Sequence, residues 1–347
     1  MSDATPDPWA EARDEFPLTG TRRSRFVAAL RHAVLAPSSH NSQPWIFRLE
    51  GESLELLADR SRALPVVDPE DRELIISCGV VLRFLRVALN HFGQGARVTL
   101  FPDPATPDLL ARVSLTGVVQ PSRRAHKLFE AIALRRTNRF PFESDPVPEP
   151  LLGRARNIAE KDGGWLQTLT GEADRAALAE LIAEGDRRQL SDRKFRRELA
   201  SWVHSNRSTS RDGMPGYAHG LGDLAASVGP LVIRTFDIGD GRAARDRQLA
   251  LGSPALAVLW TEQDTPRDWM RAGLSLGAAL LSLEADGIAV SYLNQPIEVP
   301  ELRDRVRTLL DREGAPQIVL RLGYGRDVRT TPRRRVEAVL RLDAAER

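Results

Sequence analysis

Hydrophobic positions along the chain follow two spacings, one typical of amphipathic helices and one typical of strands. Apolar residues recur every three or four positions over residues 22–35 and, as a broad stripe, over residues 72–92, which predicts two helices. The same spacing predicts further helices at residues 126–136, 149–161, 172–189, 194–204 and 267–286. Alternation or short apolar runs predict strands at residues 45–57 (as a hairpin), 98–101, 110–115, 165–168, 231–236, 256–261, 289–293 and 317–322. Helices and strands mixed in this way predict an α+β fold.

An internal repeat is visible in the spacing of glycines and prolines. A unit of apolar helix, glycine, strand and proline occurs twice at a constant separation of 194 residues, marked by the pairs Gly79 and Gly273, Gly93 and Gly287, and Pro102 and Pro296. Such repetition predicts two tandem half-structures, each with a mixed, mainly antiparallel sheet and surrounding helices. We predict a first half at residues 1–120 and a second at residues 121–347. The two apolar helices are expected to form the central contact.

Residues 206–223 interrupt the pattern, because they show no periodicity and few apolar side chains. A loop of this length inside a compact domain is uncommon and is usually a functional lid or a disordered insert. Trp202, Met214 and Tyr217 give this segment side chains that can be buried against the body. We therefore predict a lid insertion over about residues 200–228.

Composition and charge argue against several classes of protein. The lone Cys78 excludes a disulfide framework and metal sites built from several thiolates. The pI is near 9.0 because arginine greatly outnumbers lysine, whereas the formal net charge is only +2 and acids are interleaved with the bases. This distribution predicts no nucleic-acid partner; a basic nucleic-acid-binding protein would instead show salt-sensitive binding. The N-terminus lacks a signal-peptide pattern and the longest uncharged apolar stretch, residues 272–283, is too short for a bilayer, which predicts a cytoplasmic protein without membrane association.

Two catalytic motifs occur outside the structural context that they require. Residues 273–277 have the spacing of a nucleophile elbow, but they lie within a predicted helix instead of at a strand-to-helix turn. Residues 239–244 match a dinucleotide fingerprint after a predicted strand, although Asp237 and Asp240 would face the pyrophosphate. The histidines show no metal-ligand spacing, so we predict no metal site.

Polar chemistry is concentrated in two segments. The turn at residues 36–45 lies between a helix end and a strand start and carries hydroxyl and amide side chains between two prolines, namely Ser38, Ser39, Asn41 and Gln43. Such a surface can hydrogen-bond a flat ring that bears donors and acceptors, or the polyol next to it. The second segment groups guanidiniums around a hydroxyl at a helix end, which suits a phosphate: Arg135, Arg136, Thr137 and Arg139.

These segments resemble motifs of the FMN-dependent nitroreductase family. Residues 37–45 are similar to its Pro-Ser-Ser-x-Asn-x-Gln-Pro-Trp segment, and residues 135–139 to its Arg-Arg-Ser-x-Arg segment. Residues 296–298 are similar to its Pro-Ile-Glu stretch, whose backbone approaches the reactive edge of the isoalloxazine, and residues 332–335 resemble its basic phosphate-holding segment. The resemblance covers most of residues 25–340 and implies a nitroreductase-like α+β fold.

The chain departs from the homodimeric family pattern in the distribution of these segments. In typical members each chain carries both segments, and two flavin sites form across the dimer interface. Here the first half has the serine-rich turn without a preceding arginine segment, and residues 163–166 lie where the second half would have such a turn. The resemblance therefore implies one flavin site per chain, in a fused pseudo-dimer similar to the Acg-type subgroup, whose lid can cover the flavin. The chain would be a monomeric pseudo-dimer or a homo-oligomer.

The resemblance also implies roles for particular residues. The implied FMN-binding residues are Ser38, Ser39, Asn41, Gln43, Arg135, Arg136, Thr137, Arg139, Pro296, Glu298, Arg333 and Arg335. The phosphate would pair with Arg135, Arg139, Arg333 and Arg335. The serines and Asn41 would fix the ring edge or ribityl chain, and the Glu298 N–H would hydrogen-bond near N5. No catalytic side chain is required, because the flavin carries hydride from NAD(P)H to a nitroaromatic or quinone-type acceptor. The alternative is a flavin-storage protein with little turnover, if Trp202, Met214 or Tyr217 fills the space over the ring.

Overall fold

The computed structural model describes residues 7–12, 17 and 20–341. Its helices are α1 (Pro8–Glu11), α2 (Arg22–Ala33), α3 (Arg72–His91), α4 (Arg123–Leu134), α5 (Glu149–Glu160), α6 (Glu172–Ser191), α7 (Arg193–Trp202), α8 (Asp223–Thr235), α9 (Gly239–Leu251), α10 (Pro266–Ala285), α11 (Gln295–Glu298), α12 (Pro300–Leu309) and α13 (Val336–Val339). Its strands are β1 (Trp45–Glu50), β2 (Ser53–Ala58), β3 (Gln94–Leu100), β4 (Leu109–Val118), β5 (Gly164–Leu169), β6 (Val203–His204), β7 (Met214–Pro215), β8 (Ala255–Thr261), β9 (Ala289–Tyr292), β10 (Ala315–Gly323) and β11 (Leu340–Arg341).

The longer strands form two sheets. The first has the order β11-β1-β2-β4-β3 and is antiparallel except for the parallel pair of β1 and β11, in which Phe47 lies opposite Leu340. The second has the order β5-β8-β10-β9 and is antiparallel throughout. The short strands β6 and β7 pair in parallel with one another. The predicted α+β fold with mixed, mainly antiparallel sheets is confirmed.

Helices α3 and α10 pack against each other between the two sheets, where the sequence predicts the central contact. A Cβ atom on Gly79 would lie 2.7 Å from the Cα of Gly273 and 2.5 Å from the carbonyl oxygen of Met270, so any larger residue would push the helices apart. Apolar side chains of both helices join one buried core that also includes Phe47 of the first sheet and Leu320 of the second. Among the described residues α3 alone is long and apolar enough to span a membrane, but 78% of its apolar window is buried, as in a core helix.

Local signals set the ends of these two helices. Thr265 caps α10 by accepting the N–H of Asp268, and Pro266 takes the first helical position, where no N–H is needed. Gly93 and Gly287 follow α3 and α10 in the left-handed conformation, with φ of +72° and +77°, which glycine adopts without steric cost.

The internal duplication and its boundary stay predictions. Both central helices have 20 residues and each is followed by a glycine and a strand, as the repeat predicts. The two sheets, however, differ in strand order, and β11 from the second predicted half pairs with β1 of the first.

One predicted strand is wrong, and the predicted lid contains regular structure. Residues 231–236 belong mainly to α8, where Leu231 is 57% and Phe236, just beyond the helix, 60% exposed. A short apolar run has no periodicity that separates strand from helix, and these residues have no strand partner in the described chain. Residues 239–244 therefore open α9 after a helix, which removes the strand that a dinucleotide fingerprint requires. Between α7 and α8 lie β6, β7 and a 3-10 turn at Gly216–His219.

The serine of the elbow-like motif has a packing role, as its predicted helical location implies. Ser275 lies in α10, donates a hydrogen bond to the carbonyl of Ala159 at 2.8 Å and accepts the N–H of Gly164 at 3.0 Å. Both contacts hold α10 against α5 and β5, and the hydroxyl is fully buried.

Candidate functional site

The serine-rich turn between α2 and β1 has an unusual backbone. His40, Asn41 and Gln43 have positive φ values of 51°, 57° and 54°. Residues other than glycine keep this conformation only where their surroundings hold it, and such positions cluster at functional sites. The Ser38 hydroxyl stabilises the turn from within by accepting the N–H of Gln43 at 2.8 Å.

Asn41 connects the turn to two distant segments. Its amide Nδ2 donates to the carbonyls of Gly213 at 2.9 Å and Pro332 at 3.0 Å, and its Oδ1 accepts from Nη1 of Arg333 at 2.8 Å. The side chain is buried and all three bonds are to protein. Asn41 is therefore placed to position the lid and Arg333, whereas the sequence predicts direct contact with the flavin.

Gln43 makes a second connection of the same kind. Its Nε2 donates to the carbonyl of Arg211 at 2.9 Å, and its Oε1 accepts the N–H of Arg334 at 2.7 Å. Next to these bonds, Arg62 donates to the Asp212 carboxylate at 2.6 Å. The turn, the segment between β6 and β7, and the C-terminal arginines thus form one bonded unit.

A cavity of about 170 Å³ lies where the predicted arginine segments meet. Its lining includes Trp9, Arg135, Arg136, Thr137, Phe140, Tyr217, Ala218, Arg326, Asp327, Val328, Arg329, Thr331 and Arg333. Four of the predicted site residues, Arg135, Arg136, Thr137 and Arg333, are therefore brought together.

The three guanidiniums of Arg135, Arg136 and Arg333 lack a neutralising partner. Within the described ranges none of them forms a salt bridge, although Glu284 lies close enough to act on the first two. The Nε of Arg135 has no hydrogen-bond partner among the described residues, and Arg135 is 3% exposed. Burial, followed by repulsion from neighbouring guanidiniums, lowers the pKa of Arg333 to about 9 and that of Arg136 to about 10. Buried charge without a counter-charge is costly, so this arrangement suits a bound anion.

Trp9 of α1 covers the small cavity, and no sequence pattern predicts it. The guanidinium carbons of Arg136 and Arg333 lie 4.2 Å and 5.3 Å from its ring centroid, and its indole N–H donates to the carbonyl of Thr331 at 2.9 Å. Arg335, also predicted to hold the phosphate, is instead paired with Glu11 at 3.0 Å and lines neither cavity.

A larger cavity of about 660 Å³ adjoins the small one, and Thr137 lines both. The predicted residues Ser38, Ser39, Thr137, Arg139, Met214 and Glu298 line it. Sequence analysis missed the other polar lining residues: His40, Glu73, Ser77, Asp186, Gln189, His219, Arg242, Arg245, Tyr292, Asn294 and Gln295. They are scattered over six stretches of the chain, so no local motif could reveal them.

Glu73 and Glu298 form an acidic corner of the large cavity. The Ser39 hydroxyl donates to Glu73 at 2.5 Å, and Glu73 also accepts from Asn294 at 3.2 Å. Glu298 accepts from Nε2 of Gln189 at 2.6 Å, while burial, and then the charge of Glu73, raise the pKa of Glu298 well above its usual range. The Glu298 N–H, expected near the flavin N5, donates to the carbonyl of Asn294 at 3.0 Å. The neighbouring Pro296 is buried and lines neither cavity.

The lid segment reaches both cavities through two of its three predicted side chains. Met214 lines the large cavity, and its sulfur lies 3.9 Å from Nη2 of Arg139. Tyr217 lines the small cavity, donates to the carbonyl of Thr330 at 2.8 Å and has Arg329 stacked 4.3 Å above its ring. Trp202 lines neither.

Several curated proteins are similar to the chain over nearly its whole length. It is 33% identical over 337 residues to "Putative NAD(P)H nitroreductase Rv3131" of Mycobacterium tuberculosis, covering 95% of the chain and 94% of that protein. It is 32% identical over 329 residues to "Uncharacterized protein Rv3127" of the same organism, covering 90% and 93%. "Putative NAD(P)H nitroreductase acg", also from that organism, is 29% identical over 325 residues, covering 92% and 96%.

Solved structures show a weaker similarity. The FMN-dependent nitroreductase NfnB from Mycobacterium smegmatis, in complex with NADPH, is 20% identical with a TM-score of 0.42, covering 63% of this chain and 99% of that one. Iodotyrosine deiodinase bound to FMN and 3-iodo-L-tyrosine is 15% identical with a TM-score of 0.40, covering 60% and 94%. No protein-family model matches the chain. The relatives that share a third of its residues nevertheless carry the nitroreductase name over almost the full length, and the chain belongs to the nitroreductase family.

Proposed function

We propose that the chain binds one FMN and uses NAD(P)H to reduce a nitroaromatic or quinone-type acceptor. The observation that carries this proposal is the trio of guanidiniums of Arg135, Arg136 and Arg333, of which the first and third are buried and none forms a salt bridge in the described part of the chain. A phosphate supplies the negative charge that such a cluster lacks, and its oxygens accept charge-assisted hydrogen bonds from guanidiniums. The FMN phosphate would be held in the small cavity by these three residues.

The large cavity fits the rest of the cofactor. Thr137 lines both cavities, so they are neighbours, and we expect FMN anchored in the small one to extend into the large one. There the hydroxyls of Ser38 and Ser39 can bond polar atoms, and Ile76 and Leu276 offer apolar surface to a ring. When bound, FMN supplies the hydride chemistry, while the chain binds, orients and shields the reactants. The names of the relatives support NAD(P)H as the reductant.

Flavin content is the direct test. The purified protein would be desalted exhaustively, its visible spectrum recorded, and the flavin released by acid and quantified. We expect about one FMN per chain, bound either as purified or after addition of FMN. A protein that takes up none would contradict the proposal. Two FMN per chain would contradict a single site built from both parts of the chain.

Flavin storage with little turnover is the second candidate, because the lid is bonded to the turn. Asn41 donates a hydrogen bond to the carbonyl of Gly213, and Arg62 donates to the Asp212 carboxylate at 2.6 Å. Met214, which follows Asp212 and Gly213 in the chain, lines the cavity. If these bonds hold the site closed, Arg62→Gln should raise NADPH oxidation at unchanged FMN content. The matched control is Arg60→Gln, because Arg60 bonds Asp108 at 2.8 Å and does not touch the lid. Fast turnover of the unmodified protein would refute storage.

A further inference from the structure

The outer end of the large cavity is built from elements to which no flavin role has been assigned. The 3-10 turn at Gly216–His219, α8 and the first turns of α9 supply this wall. Most of the residues predicted to hold FMN line other parts of the cavity, on the serine-rich turn and α11. Arg139, which the resemblance gave to the phosphate, does not line the small cavity that we assign to the phosphate and lies near Arg242 of α9. A cavity of about 660 Å³ is large for one ring system, so this end offers space for a second molecule.

The outer wall is apolar and continues to the surface. Leu221, Val228, Val232, Ile233 and Ile238 line the cavity there. Val228, Val232 and Ile238 are also 46%, 38% and 36% exposed, so the apolar lining extends from the interior to the mouth. Exposed apolar surface that leads into a cavity is typical of a binding site for an apolar molecule.

Two arginines at this end have no anionic partner. Arg139 and Arg245 line the cavity, and neither forms a salt bridge with any carboxylate that the structure describes. Arg245 donates to the carbonyl of His219 at 3.4 Å, and Nη2 of Arg139 lies 3.9 Å from the sulfur of Met214. Arg242, one helical turn before Asp246, is by contrast bonded to that carboxylate at 2.8 Å.

The histidines add polar atoms that also lack partners. The Nε2 atoms of His40 and His219 are buried without a hydrogen bond to the described residues. Burial, and then the guanidiniums of Arg139, Arg242 and Arg245, hold the pKa of His219 well below its usual range. All three arginines line the cavity, and of the three Arg242 alone is paired with a carboxylate that the structure describes.

The acids of the cavity are bonded to groups other than Arg139 and Arg245. Glu73 is engaged by Ser39, Asn294 and Arg72, and Glu298 by Gln189. Asp186 accepts from Gln295 at 3.2 Å and lies 4.0 Å from Arg242. None of these carboxylates forms a salt bridge with Arg139 or Arg245 in the described residues, so both guanidiniums can bond a ligand.

We propose that the acceptor is an amphipathic anion: a carboxylate or sulfonate bound by Arg139 and Arg245, attached to an apolar or aromatic body that lies against α8. This inference rests on the proposed function, because it assigns the inner part of the cavity to the flavin. Guanidiniums bind carboxylates and sulfonates through short, charge-assisted hydrogen bonds, and the apolar wall buries the rest of the molecule. The phosphates of NADPH share this anionic chemistry and are the other possible source of charge.

A pair of isosteric probes separates charge from shape. The anion 4-nitrobenzoate and the neutral 4-nitrobenzamide would be titrated calorimetrically into FMN-loaded protein, with NADP⁺ as a third ligand. The variant is Arg245→Gln. Its matched control is Arg247→Gln on the same helix, because Arg247 bonds Glu180 outside the cavity. FMN released per chain is measured on every sample.

We expect 4-nitrobenzoate to bind the unmodified protein about tenfold or more tightly than 4-nitrobenzamide, the difference expected of hydrogen bonds to a charged group. Arg245→Gln should remove most of that preference while leaving the amide and NADP⁺ within about twofold, and Arg247→Gln should change none of the three. If 4-nitrobenzoate and 4-nitrobenzamide bind equally to protein with full FMN content, this inference is refuted and the proposed function is not. If Arg245→Gln weakens the binding of NADP⁺ alone, the arginines bind the reductant, and this inference is also refuted. Failure to load FMN would refute the proposed function instead.

Discussion

Replacing Arg135 by methionine should weaken FMN binding without destabilising the flavin-free protein. The guanidinium is buried at the small cavity, its Nε has no hydrogen-bond partner in the part of the chain that the structure describes, and its Nη1 lies 3.5 Å from the Thr137 hydroxyl. Burial is the first cause that lowers the pKa of Arg135, so the charged group is poorly compensated in the flavin-free protein. Methionine keeps much of the apolar stem and removes only the charge and its donors.

The two expected effects have opposite signs. Losing one partner of a buried hydrogen-bonded charge pair costs about 2–5 kcal/mol of binding free energy, so the Kd for FMN should rise at least about 30-fold. Removing an unpaired buried charge should instead stabilise the flavin-free protein, by about 1 kcal/mol, which is a rise in Tm of about 2 °C at this chain length. If Arg135 were needed only for packing, its replacement would lower both the affinity for FMN and the Tm of the flavin-free protein.

Two titrations measure these effects. FMN affinity would be determined from the quenching of flavin fluorescence in a phosphate-free buffer, and Tm from thermal unfolding of the flavin-free protein. Arg335→Met is the matched control, because Arg335 is already paired with Glu11 and Glu337 and should change the Kd less than about threefold. A Kd for Arg135→Met within twofold of the unmodified value, or a Tm several degrees lower, would refute the assignment of the small cavity to a phosphate.

Three further outcomes are expected. Gly273→Ala should destabilise the protein by about 1–3 kcal/mol in urea unfolding, because the added Cβ would lie 2.6 Å from the Cα of Gly79. Gly153→Ala should leave the stability unchanged, because the nearest atom to its Cβ would be 3.7 Å away. Equal effects of the two substitutions would contradict the close contact between the helices. Burial, and then Asp246, raise the pKa of Asp186 to about 7, so the contribution of Asp186 to stability is lost as pH rises from about 4 through 7. The unfolding free energy of Asp186→Asn should therefore rise by about 1 kcal/mol or more, relative to that of the unmodified protein, between pH 5 and 8. A difference that does not depend on pH would count against this reasoning. Trp9→Ala should accelerate FMN release in stopped-flow displacement by about fivefold or more, because the indole covers two of the guanidiniums, and an unchanged rate would show that α1 does not close the cavity.

Much of the fold is determined by local signals in the sequence. The periods of α3 and α10 are long and strong, and glycines end both helices, so the pattern predicts both to within one or two residues. The serine-rich turn and the arginine segment are each a continuous stretch of sequence, which is why a motif can reveal them from the order of residues alone. Residues 231–236 show the limit of local signals, because an apolar run of six residues fits a strand or a helix and only the neighbouring elements decide.

The tertiary structure decided which polar groups remain available to a ligand. The resemblance assigned Asn41, Gln43 and Arg335 to the flavin, which stays a prediction, and in the folded chain the side chains of all three bond protein partners. Arg135 and Arg245 have the same chemistry as Arg335, yet neither forms a salt bridge in the residues that the structure describes. The difference arises from segments far apart in the chain that meet only on folding. The type of each residue is known from the sequence, whereas long-range packing, which no local pattern encodes, decides whether its polar atoms are free to hydrogen-bond a ligand.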